Sequence, residues 1–280
     1  MSHREILSIT TGRPTSDGAG VSLTRVFGGA APERFDPFLM LDEFGSNDPD
    51  EYIAGFPPHP HRGFETITYM LEGRMRHEDH MGNVGRLESG GVQWMTAARG
   101  VIHSEMPEQQ EGNMRGFQLW LNLPAHAKLG EPGYRDFAPA EIPQVRLDNG
   151  VQAKVIAGTL KAQGIEQQGV VQRPDTEPQL FDLHLPADST LSPQIPDGHL
   201  LLLYVYEGAL QLGDQPVGRG QLVRLSEQGE LQLHSETGAR LMLLAGRPLR
   251  EPIVQYGPFV MNSREEIEQA LRDFRDGTLA

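Results

Sequence analysis

The chain has 280 residues, with 24 Lys and Arg against 38 Asp and Glu, a formal net charge of −14. That balance argues against sequence-independent nucleic-acid binding, which needs a positive face. It contains no cysteine. This excludes a disulfide framework, thiolate-held zinc or iron–sulfur clusters and a thiol nucleophile, so any metal must be held by histidine and carboxylates.

Along the chain, the first segment, MSHREILSITTGRP, has no apolar core of signal-peptide length. The longest apolar run, Leu200 to Tyr206, is far short of a membrane span. A cytoplasmic protein without membrane contact is the expectation. Gly (32) and Pro (21) punctuate the chain heavily, which favours many short β elements. Thr66–Leu71 reads as a strand, Glu72-Gly73 as a turn and Arg74–His77 as the return strand. Val84–Leu87, Val92–Thr96, Val101–Glu105 and Gly116–Leu123 follow as further strands. The stretch from Pro124 to about Ile142 holds several prolines without periodicity and reads as a connector.

The second half repeats the design. Leu201–Tyr206 reads as a strand that Glu207-Gly208 ends, 135 residues after the first Glu-Gly turn. Leu222–Leu225, Leu231–His234 and Arg240–Ala245 read as strands. Two similar β domains in tandem follow, divided as 1–137 and 138–280. Ser263 and Glu266 form a capping box for a short C-terminal helix. Ile267, Leu271 and Phe274 give it an apolar stripe and Gly277 ends it, so it reads as a clasp lying on a β domain.

Seven of the ten histidines lie in the first half. His59-Pro60-His61 is an H-x-H pair, and residues i and i+2 of an extended chain share a face. The flanking prolines stiffen it. His103-Ser104-Glu105 offers a second same-face pair. Three histidines and one carboxylate leave open positions on an octahedral ion, which suits Fe(II), Mn, Ni or Cu better than a closed structural zinc. Phe56, Trp94, Met95 and Trp120 are equally suited to lining an apolar cavity or to ordinary barrel core. His77-Glu78-Asp79-His80 reads as a solvated charged rim. His234-Ser235-Glu236 repeats the letters of the second pair. At the same offset, however, Gln194 and Pro196 stand where an H-x-H would be, so a surface turn is the better reading. Neither a phosphate-binding Gly-x-x-x-x-Gly-Lys loop nor a Gly-x-Ser-x-Gly elbow occurs.

The run HPHRGFET, LEG, HED, QWMTAARGVIHSE and FQLWLNLP resembles the pirin family of the cupin superfamily, as do PGYRDF at 132–137 and YGPFVMN at 256–262. The resemblance implies an all-β bicupin: two stacked cupin-type β-barrels with a short C-terminal helix. The metal would sit in the N-terminal barrel and the C-terminal one would lack a metal site. It implies His59, His61, His103 and Glu105 as metal ligands, where the general cupin pattern would use Glu65. Glu65 then stands behind the ligands, orienting a histidine or balancing charge. His80 and Asn83 depart from the residues family members often show, which touches the entrance rather than the ligands. The resemblance further implies one divalent metal, Fe(II) first, with Mn, Ni, Cu, Zn or Co as other occupants. It implies quercetin 2,3-dioxygenase activity on a flavonol and O2, with loss of carbon monoxide and Glu105 as proton acceptor. The other implied role is a redox-responsive metalloprotein regulating a protein partner. A monomer is expected.

Overall fold

A computed structural model describes residues 3–29 and 35–280, and these divide into two compact units. The described chain is built mostly of antiparallel strands, as the density of turn formers requires.

The unit that carries the H-x-H motif comprises residues 13–139 and 249–280. Its larger sheet has seven strands. Their order is Gly133–Phe137, Val92–Thr96, Phe64–Glu72, Met114–Asn122, Phe38–Ser46, Val21–Phe27 and Arg13–Asp17. Its four-stranded sheet runs Phe56–His61, Val101–Pro107, Arg74–Asp79, Val84–Glu88. Alternation along these strands buries Val21, Leu23, Phe44, Met70, Met75, Leu87 and Met114 in one apolar cluster.

The other unit comprises residues 1–12 and 140–248. Its sheet is centred on a long strand, Leu200–Leu212, flanked by Gln221–Leu225 and Ala239–Gly246. The interior is a continuous apolar cluster that includes Phe181, Leu183, Leu201, Leu203, Val205, Leu241 and Leu243.

The two-barrel, all-β architecture with a short C-terminal helix is the one expected, but four local readings change. The division at 137 does not hold at the chain ends. Ile6–Thr11 pairs with Gln221–Leu225, so the first strand completes the second unit. Residues 249–280, including the helix Arg264–Arg275, group with the first. Both exchanges rest on long-range pairing, which local sequence pattern does not encode. Glu207-Gly208 does not end its strand. A bulge lies between Val205 and Glu207, and Leu200–Leu212 continues beyond it through Gly208, at φ +69°, where a Cβ would lie 2.0 Å from the Gly238 carbonyl. The connector contains an edge strand, Gly133–Phe137, paired with Val92–Thr96. On the helix, Ile267 and Ala270 are buried while Leu271 and Phe274 are substantially exposed, so the stripe that packs is narrower than expected. The cap itself forms: Ser263 Oγ accepts from the Glu266 N–H, and the Glu266 carboxylate accepts from the Asn262 N–H.

Candidate metal centre

The strand Phe56–His61 reads FPPHPH, a sequence that cannot serve in the middle of a sheet because proline donates no ladder bond. It lies at the edge of the four-stranded sheet and pairs on one side only, with Val101–Pro107. The register sets His59 opposite His103 and His61 opposite Val101, and a bulge follows His103 before Glu105 meets Phe56. Two short motifs more than forty residues apart thus place their imidazoles together. Ring centroids lie 4.7 Å apart for His59–His61, 4.4 Å for His59–His103 and 4.9 Å for His61–His103. One nitrogen from each ring lies within 4.8 Å of the others.

The hydrogen bonds around the rings leave lone pairs available. His59 Nδ1 is 2.8 Å from the Pro57 carbonyl, which can only accept, so that nitrogen carries a proton and Nε2 is the nitrogen that offers a lone pair in the neutral ring. His61 bonds the Pro258 backbone and its Nδ1 is buried without a hydrogen-bond partner. His103 uses Nδ1 toward His77, and its Nε2 is likewise buried without one. Burial, and then the neighbouring rings, hold His61 and His103 well below the ordinary imidazole range, so both are neutral at pH 7. Neutral imidazoles with unpartnered buried nitrogens are what a divalent ion requires, and apolar burial alone would penalise them. The donor set fits a metal ion.

Glu105 is 2% exposed and lines the same cavity, but the 4.8 Å set comprises the three histidines without it. Gln118 Nε2 donates to Glu105 Oε2 at 3.2 Å. The Thr68 hydroxyl lies 2.9 Å from Glu105 Oε1 and 2.6 Å from Gln118 Oε1, and its single proton serves one of them at a time. Glu65 is buried on Phe64–Glu72, accepts from Thr96 Oγ1 at 2.6 Å and is not among the residues lining the cavity.

The cavity has a volume of about 1020 Å3. Phe56, Pro57, Pro58 and Trp120 form apolar wall beside the histidines, and Tyr256, Gly257 and Pro258 from the C-terminal segment complete it. Arg25 sits in another part of the wall, its guanidinium bonded to both Asp42 oxygens at 2.9 and 2.8 Å and to Asp17 at 2.9 Å. Of the four apolar candidates, Phe56 and Trp120 line the cavity, whereas Trp94 and Met95 are buried in the barrel and do not. His80 Nδ1 accepts from the Ile102 N–H, and Asn83 binds Asp79; neither lines the cavity.

The C-terminal segment also secures the end of the H-x-H strand. Arg62 is 6% exposed and donates to Asp273 Oδ2 at 2.6 Å, to the Leu279 carbonyl at 3.2 Å and to the Arg99 carbonyl. Lys128 is 1% exposed and donates to the carbonyls of Gly63 at 2.7 Å and Val260 at 3.0 Å and to Asn122 Oδ1 at 2.5 Å.

Two expectations are corrected. His77 is no solvated rim: it is 1% exposed and touches His103. His234-Ser235 is no surface turn: it belongs to the strand Leu233–Ser235, in line with the strand read at Leu231–His234, and His234 Nδ1 is taken up by the Ser189 carbonyl at 3.1 Å and Thr190 Oγ1 at 3.2 Å. Sequence reasoning gave no role to Thr68, Gln118, Arg62 or Lys128, although Arg62 and Gln118 stand inside the quoted HPHRGFET and FQLWLNLP runs.

Comparison with known proteins agrees with this geometry. The Pirin family matches residues 20–121 and the Pirin C-terminal cupin domain matches residues 180–280. A Pseudomonas aeruginosa protein provisionally named quercetin 2,3-dioxygenase is 65% identical over 99% of both chains. Human pirin is 39% identical over 98% of this chain and 93% of its own. The crystal structure of quercetin 2,3-dioxygenase from Acinetobacter baumannii superposes with a TM-score of 0.91 at 32% identity, covering 100% of this chain and 99% of that one. The chain belongs to the pirin family.

Proposed function

We propose that the protein is a metal-dependent dioxygenase that opens the central ring of a flavonol such as quercetin with O2 and releases carbon monoxide. The observation that carries this reading is the convergence of three histidines, of which His61 and His103 keep buried nitrogens without partners, beside a cavity that His59 and His61 line together with aromatic and proline side chains. The dioxygenase names of its relatives support it. His59, His61 and His103 would hold the ion, with Glu105 as an oxygen donor from the same cavity. The proposed occupant is Fe(II), and the same N and O donors also accept Mn, Ni, Cu, Zn or Co. When bound, the ion supplies Lewis acidity and exchange of electrons with O2.

The protein's own groups supply the rest. Phe56, Trp120 and the two prolines offer flat apolar surface to a planar polyphenol, and the cavity stands at the upper end of the usual 300–1000 Å3 range for ligand pockets. Glu105 takes the proton of the flavonol 3-hydroxyl. Its oxygens each accept at most one bond from Thr68 and Gln118, which orient the carboxylate and leave a second lone pair free on each oxygen. A redox-responsive regulator would need only a narrow metal cleft, and a cavity of this size favours the enzyme.

The test is O2 uptake and carbon monoxide release by anaerobically purified, Fe(II)-loaded protein given quercetin. Quercetin-dependent uptake that is abolished in Glu105→Gln is the expected result. A fully loaded protein that consumes no O2 would contradict the proposal.

A further inference from the structure

His103 is held from behind by a side chain outside the expected ligand set. On Arg74–Asp79, Met75 and His77 are buried between exposed Arg74, Arg76 and Glu78, and the register sets Asp79 opposite His103 and His77 opposite Glu105. His77 Nδ1 lies 3.2 Å from His103 Nδ1. On its other side, His77 Nε2 lies 3.7 Å from Oδ2 of Asp79, whose side chain is fully buried. That distance is an electrostatic contact rather than a formed hydrogen bond. The His77 ring stacks on Tyr134 with centroids 4.4 Å apart and planes 21° from parallel. The Tyr134 hydroxyl donates in turn to Asp136 at 2.5 Å. Asp79 is fixed by the Met81 and Asn83 backbone N–H groups and by the Asn83 side-chain amide. Every neighbour that sets the plane of His77 is therefore itself anchored.

Proton placement gives this contact a direction. Two imidazole nitrogens at 3.2 Å bind only when one carries hydrogen and the other a lone pair. The free nitrogen of His103 is the buried, unpartnered Nε2. A lone pair on Nε2 for a metal requires the proton on Nδ1, so His103 donates and His77 accepts. His77 must then carry its own proton on Nε2, which faces Asp79. We infer that His77 is a positioning residue for the metal centre: by accepting the Nδ1 proton of His103 it fixes the tautomer and ring plane that aim Nε2 at the ion. Tyr134 and Asp79 hold His77 in that role. The inference rests on the metal-centre reading above and adds a residue to it.

The test uses the full chain with Zn(II) alone as the probe. Zinc affinity is measured by chelator competition for the wild type, His77→Phe and His77→Gln, and imidazole 15N–1H spectra are recorded on the zinc-loaded wild type. His77→Phe keeps a ring against Tyr134 but cannot accept a proton, and it should bind zinc about 10–100-fold more weakly, the usual cost of losing a group that orients a ligand. His77→Gln, whose amide oxygen can accept, should recover most of that loss. The spectra should show the His103 proton on Nδ1 and the His77 proton on Nε2. Wild-type affinity in His77→Phe, or a loss in His77→Gln as large as in His77→Phe, would overturn the inference. A His103 proton on Nε2 would also overturn it, and this readout needs no variant to fold. Tight zinc binding by the wild type alongside any of these results removes only the role of His77. Failure of the wild type to bind zinc removes the metal centre and this inference together.

Discussion

The two units place the same three letters in opposite circumstances. In the first, His103-Ser104-Glu105 faces an edge strand that brings His59 and His61 beside it, and buried ring nitrogens are left without partners. In the second, His234 Nδ1 is consumed by Ser189 and Thr190, and Ser235 Oγ donates to the Ala209 carbonyl. Their interiors differ in the same sense. Thr68, Glu105 and Gln118 line a cavity in the first unit, whereas leucines and valines form a continuous cluster in the second. A motif therefore becomes a candidate site through what the fold places opposite it, and an open lone pair is more diagnostic than a histidine.

The sharpest way to break this contrast is to remove a converging histidine. His59→Ala or His103→Ala should weaken metal binding by well over the 10–100-fold typical of orienting residues, measured by metal content after gel filtration. Retention of full metal by both would erase the distinction between the units.

The next effect probes how the H-x-H strand is anchored. Gly63 follows Arg62 at φ +92°, and a Cβ there would lie 2.0 Å from the Val260 carbonyl oxygen. Gly63→Ala should cost about 4 kcal/mol or more in a denaturant titration, because both the backbone conformation and the contact are disallowed. An unchanged midpoint would show that the C-terminal segment does not brace the site.

Lys128 sharpens the same point with a pH dependence. Burial pulls its ammonium down from 10.5 to about 8. Between those values the unfolded chain holds more protons than the folded one, so the contribution of Lys128 to stability rises with pH across that window. The full rise is about 3 kcal/mol. Comparing denaturant midpoints of the wild type and Lys128→Met near pH 7.5 and near pH 10 should show this rise only in the wild type; parallel curves would contradict it.

The smallest expected effect lies in the second unit. His234→Ala should leave metal content and O2 uptake unchanged, and a large loss of either would mean that the second unit carries chemistry.

Much of the candidate site was legible because its signals are local. H-x-H between prolines and H-x-E after a Gly-rich turn each declare a shared face from a few residues. His77 was legible in principle: Met75, His77 and Asp79 alternate with Arg74, Arg76 and Glu78, and period two puts the histidine beside a buried methionine. The run of charges HEDH hid that alternation. The true unit boundaries were not legible. The pairing of Ile6–Thr11 with Gln221–Leu225, and of Arg62 with Phe259, joins residues about 200 apart, and no local pattern records such a partner. Thr68 and Gln118 were missed for a related reason: a polar residue in a strand reads as exposed until the cavity it faces is known.

The central claim is that one unit, and not the other, holds a metal. The direct measurement is metal stoichiometry after anaerobic loading with Fe(II) and removal of excess, for the wild type, His103→Ala and His234→Ala. One ion per chain in the wild type and in His234→Ala, with almost none in His103→Ala, is the predicted result. Full occupancy in His103→Ala, or loss in His234→Ala, would contradict it.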